Sequence, residues 1–67
     1  MTTAQLRAAA QEAAAGLRWA EAADLMTRAV EAYPDNGGAL ARDDKARMMQ
    51  RAAGWRYQAE AEAKISA

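Results

Sequence analysis

At 67 residues, with nine basic and nine acidic side chains and neither cysteine nor histidine, the chain is read as one domain, 1–67, with no disulfide staple and none of the usual zinc ligands. Much of its 52% hydrophobic content is alanine, which buries little area per residue, so a core this poor in large side chains argues for a homodimer. A net charge of zero supplies no global field to draw nucleic acid or an anionic membrane.

Charge is unevenly distributed. Residues 1–38 carry Arg7, Arg18 and Arg28 against five carboxylates, whereas residues 39–58 carry five cations against Asp43 and Asp44. Two helices lying side by side would be complementary in this way. The first residues show no basic region leading into an apolar core, and no apolar run approaches the ~18 residues of a membrane span. A soluble, cytoplasmic, all-α protein is expected.

Thr2, followed three residues later by Gln5, reads as an N-cap with a capping box, and the alanine-rich run behind it has high helix propensity. A helix should therefore begin near Thr3. Its apolar positions, Leu6, Ala10, Ala13 and Leu17, fall at helical spacing. Gly16 interrupts this run. Beyond it, Trp19, Ala22, Ala23, Met26, Ala29, Val30 and Tyr33 form one apolar face, with Glu21, Asp24, Arg28 and Glu31 opposite. On a straight helix from Thr3 to Tyr33 the two faces would point about 160° apart. Two arrangements remain open: the chain reverses at Gly16 into an antiparallel helical hairpin, giving three helices in all, or one long helix shows its halves to different neighbours.

Tyr33 to Gly38, Tyr-Pro-Asp-Asn-Gly-Gly, is a loop, because proline cannot continue the helix and Asn-Gly-Gly tolerates positive φ. The last helix, Ala39 to Lys64, carries two stripes. Met48, Ala52, Trp55 and Ala59 make one face; Met49, Ala53 and Tyr57 make a second, about 100° round the helix. Asp43 and Asp44 suit its first turns, where carboxylates meet the positive end of the helix dipole, and Asp43–Arg47 and Glu60–Lys64 have the spacing of ion pairs. Ile65 to Ala67 should fray.

Ala10, Trp19, Ala22, Met26, Ala29 and Pro34 are spaced as in a tetratricopeptide repeat, and residues Leu6 to Pro34 resemble one such repeat. The resemblance implies a protein-binding hairpin followed by a capping helix. The pattern departs in the first helix, where Leu6, Ala9 and Ala13 stand at large-residue positions, and no second repeat fits residues 40–67. In size and style the chain also resembles the small helical phage and bacterial proteins that silence host regulators, quorum-sensing anti-activators among them.

Catalysis is not expected: Ser66 is the sole serine, and Gly37-Gly38 lacks both the lysine and the preceding strand of a phosphate loop. No cofactor is expected either. Trp19, Met26, Val30, Tyr33, Met48, Ala52 and Trp55 are assigned to the core or a dimer interface. Met49, Ala53 and Tyr57, rimmed by Arg56 and Glu60, are assigned to partner binding, with tyrosine suited to such a role by its large ring and polar tip. The function expected is that of an interaction module, an inhibitor or adaptor of a larger regulatory protein such as a transcription factor. The alternative is a helical nucleic-acid-binding protein using Arg47 and Arg51, which share one side of the last helix.

Overall fold

The capping box forms as its spacing predicts. Gln5 N donates to Thr2 Oγ1 at 3.2 Å while Thr2 N donates to Gln5 Oε1 at 2.9 Å, and α1 runs from Thr3 to Ala15. In the computed structural model, which describes residues 1–34 and 38–66, it is followed by α2, Trp19–Glu31, and α3, Ala39–Ser66. The described residues contain no strand, and the protein is all-α. The expected turn at Asp35-Asn36-Gly37 lies outside the described residues. Helix α3 continues through Ile65 to Ser66, two residues past the predicted end, and Ala67, the last of the residues expected to fray, lies outside the described residues.

The first helical segment breaks at Gly16, as one of the two open arrangements has it. Arg18 N donates to the Ala13 carbonyl and Leu17 N to that of Ala14, at 2.9 and 3.0 Å, the paired bonds of a Schellman end to a helix. The residue with positive φ in that motif is Leu17, at 61°, not Gly16, whose φ is −88°. Leu17 was expected on the buried face of the first helix. It is instead 64% exposed, because the left-handed residue turns the chain out of α1 before that position is reached.

Past this turn the chain runs back along α1. Thr3 Oγ1 donates to the Ala29 carbonyl at 3.3 Å, placing the start of α1 against the end of α2. Alanines carry the contact: Ala10, Ala22 and Ala29 have no exposed surface, and Ala13 and Ala23 have 1% each. Side chains this small bring backbones close and recover dispersion energy where apolar area is short. Helix α3 then packs on α2 in the reverse sense, with Asp44 near Tyr33 at one end and Glu62 near Trp19 at the other. Helix α2 is thus the shared element, and Leu6, Ala10, Met26, Ala29, Met48 and Ala52 form the core, with Leu25, Val30, Tyr33 and Trp55 packed at its edge. At 28 residues, α3 is about 42 Å long, which sets the 44 Å long dimension of the molecule.

Among the described residues, the carboxylates of residues 1–38 form no ion pair with the cations of residues 39–58. The rotation of α2 is set by Ala22, Met26 and Ala29, which turns Glu21, Asp24 and Glu31 outward, away from the arginines of α3. Glu21 pairs with Arg18, the residue just before its helix, at 3.1 Å. Among the described residues the one ion pair between helices joins α1 to α3, Arg7 to Asp44.

Candidate functional site

Because α1 and α3 flank α2, a groove of about 490 Å³ lies between them. Its floor is Met26 and Met48; Arg7 and Gln11 of α1 form one wall, and Arg47, Gln50 and Arg51 of α3 the other. Asp44 closes one end. It accepts from Arg7 Nη1 and Nη2 at 3.1 and 3.3 Å and from the Tyr33 hydroxyl at 2.8 Å, so one carboxylate ties α1 and α3 to the segment just past the end of α2. The Tyr33 hydrogen bond is the largest influence on Asp44; with the charges of Arg7 and Arg47 it outweighs burial and holds the carboxyl below its usual range. The same bond, then burial and the Asp44 charge, raises the Tyr33 phenol against the opposing pull of Arg7. Lys45 Nζ sits 5.4 Å from the centre of the Tyr33 ring, adding a cation–π contact to this latch. With Asp44 engaged on two sides, the groups this groove offers a ligand are guanidinium and amide.

On α3, Met48 and Ala52 are buried at 3% and 2%, and Trp55 and Ala59 are half-buried against α2. The second stripe lies clear of the other helices: Met49 is 45% exposed and Tyr57 71%, with Ala53 exposed between them. Two residues on a helix differ by about 160° in direction, so Met49 and Arg47 look out from opposite flanks of α3, the row on one and the groove on the other.

The residues assigned to partner binding divide. Met49, Ala53, Tyr57 and Glu60 share the open flank, whereas Arg56 leans back to α2, its Nη2 donating to Thr27 Oγ1 at 3.4 Å. Among those assigned to the core or a dimer interface, Met26, Met48 and Ala52 are central, and Val30, Tyr33 and Trp55 are peripheral. Trp19 sits outside that cluster, half-buried, with its indole N–H donated to Glu62 Oε1 at 2.9 Å. Arg47 and Arg51 do share a site, but one that Asp44 also enters. Neither Asp43–Arg47 nor Glu60–Lys64 forms an ion pair among the described residues. Sequence reasoning passed over Arg7 and Glu62 and gave Asp44 only a role at a helix start. The signal for their contacts is the relative rotation of three helices, which no local spacing carries.

Among the described residues no three acidic side chains come together as a cation would require, and no helix is long and apolar enough to cross a membrane. No family model, no curated protein and no solved structure matches the chain.

Proposed function

We propose that the protein is a small interaction module that works by occupying the surface of a larger regulatory protein, as an inhibitor or adaptor in the manner of an anti-activator. The observation that carries this reading is the row Met49, Ala53, Tyr57, open along a flank of α3 that none of the chain's own helices covers. A large apolar thioether and an aromatic ring exposed about two turns apart on one flank are the composition of a contact patch. Tyr57 is its expected anchor and Glu60 its polar edge. The repeat-like reading supplies the scaffold: α1 and α2, closely packed through alanine, form the hairpin, and α3 is the helix that caps it and carries the row.

Self-association belongs to the same proposal. Among the described residues Met26 is the one large side chain with less than 2% of its surface exposed, so the fold buries little per residue by itself. A nucleic-acid reading draws support from Arg7, Arg47 and Arg51 around one groove, but Asp44 neutralises part of that charge and the chain has no excess of base. Affinity capture from the source cell, with the parent and with Tyr57→Ala, separates the two. A protein enriched by the parent and lost with Tyr57→Ala supports the module. A salt-sensitive mobility shift of nucleic acid, abolished by Arg47→Ala with Arg51→Ala, overturns it.

A further inference from the structure

The side of α3 turned away from α2 is uncharged for four turns. From Ala46 to Ala61 it presents Ala46, Gln50, Ala53, Gly54, Tyr57 and Ala61, all exposed except the half-buried Ala61. The outward face of a helix in water is ordinarily where charge collects, and here the charges stand beside the strip: Arg47 and Arg51 on one edge, Arg56 and Glu60 on the other. Within it, Gly54 and Tyr57 are surface neighbours, three residues apart. A Cβ added at Gly54 would meet nothing within 4 Å, so no contact inside the chain calls for a glycine that weakens the middle of its longest helix. Tyr57 beside it projects with 71% of its surface exposed. The strip therefore offers a ring next to a gap with no side chain.

From this we infer that the strip closes on the same strip of a second copy, the two α3 helices running antiparallel about a two-fold axis between Trp55 and Arg56. That axis sets position 57 level with 54 and 50 level with 61, so each Tyr57 ring covers the other protomer's Gly54. The contact is isologous, as a closed dimer requires. It buries no charge, the neutral chain has no net repulsion to overcome, and α2 lies on the opposite side of α3, where it does not obstruct approach. One helix wide and about 22 Å long, it sits at the small end of specific interfaces, which sets the expected dissociation constant in the micromolar range. The inference rests on the reading of this flank as a binding surface and names the occupant it takes when no other protein is present.

The test is sedimentation of the full chain from about 1 to 500 µM, with circular dichroism to verify that each variant stays helical. The parent should pass from a 7.2 kDa monomer to a dimer across this range. Tyr57→Ala and Gly54→Leu should each weaken the dimer about tenfold or more, one by removing the ring and the other by filling the gap. The double variant Gly54→Tyr with Tyr57→Ala exchanges ring and gap while keeping position 54 opposite 57, and should restore dimerisation. A parent that stays monomeric, a dimer indifferent to Gly54→Leu, or a double variant no better than the single ones overturns the inference. A monomeric parent whose capture of a target still depends on Tyr57 leaves the interaction module standing and rejects the second copy alone. A Tyr57-dependent dimer with target capture unchanged by Tyr57→Ala does the reverse.

Discussion

Moving the glycine of the first turn by one position tests the account of how α1 ends. Leu17 holds φ at 61°, a conformation that costs a side chain with a Cβ about 1–2 kcal/mol. With 64% of its surface exposed, it recovers by burial only roughly a third of the 1.5–3 kcal/mol that a fully covered leucine would contribute. Leu17→Ala keeps the strain and loses that burial, a net cost of about 0.5–1 kcal/mol. Leu17→Gly removes the strain but gives up the burial and adds freedom to the unfolded chain, so it should come out close to neutral. Gly16, at φ −88°, has no need to be glycine: a Cβ there would meet the flexible Arg18 side chain at 3.4 Å and the Ala13 carbonyl at 3.6 Å. Gly16→Ala should therefore stabilise the protein by about 0.4–1 kcal/mol through the unfolded state. Urea unfolding followed by circular dichroism at one protein concentration should rank Gly16→Ala above the parent and Leu17→Ala below it. In a domain of this size each kcal/mol is worth about 4–8 °C in Tm. A Gly16→Ala variant less stable than Leu17→Ala would refute the reasoning.

Three further outcomes are expected. Met26→Ala, at a site 1% exposed and shared by all three helices, should lower the unfolding free energy by about 2–5 kcal/mol in the same titration. Trp55→Ala should lower Tm, whereas Tyr57→Ala should weaken association by roughly 2 kcal/mol or more with helix content unchanged; equal loss of structure in both would mean that the two faces of α3 are misassigned. The Tyr33–Asp44–Arg7 latch should bound stability on both sides of pH. The Asp44 pKa is depressed below 3.8, so its contribution is present above that value and lost as pH falls through the folded pKa. The Tyr33 pKa is raised above 10.0, so its contribution is present below that value and lost as pH rises through the folded pKa. Asp44→Asn should flatten the acid limb of a Tm-against-pH profile, and a limb unchanged by that substitution would contradict the assignment.

What could be read from the sequence was what depends on neighbours along the chain. The Thr2–Gln5 capping box and the apolar faces of Trp19 to Tyr33 and Met48 to Ala59 follow from spacings of three and four residues, whereas the helix expected to reach Tyr33 ends at Glu31, three residues before Pro34. Gly16 marked the break in the first helical segment, but the residue that takes the left-handed conformation is Leu17, because two bonds to Ala13 and Ala14 select the position and outweigh side-chain preference. The groove was not legible. Arg7 and Asp44 are 37 residues apart, and their meeting depends on how α1 and α3 are turned on α2. Spacing alone suggested Asp43 to Arg47 within one helix, a pair that competes with solvent and does not form among the described residues. The opposite charges of the two halves likewise suggested helix-to-helix pairing, but burying Ala22, Met26 and Ala29 fixes the rotation of α2 and leaves its carboxylates facing outward.

The claim at the centre of this account is that the open flank of α3, and not the arginine-lined groove, is where the protein works. Its most direct measurement is quantitative affinity capture from the source cell with three baits: the parent, Tyr57→Ala, and Arg47→Ala with Arg51→Ala, each shown to be folded. The account predicts one protein enriched by the parent, retained by the double arginine variant and reduced about tenfold or more by Tyr57→Ala. Enrichment that survives Tyr57→Ala and disappears with the arginine pair would contradict it and place the function in the groove.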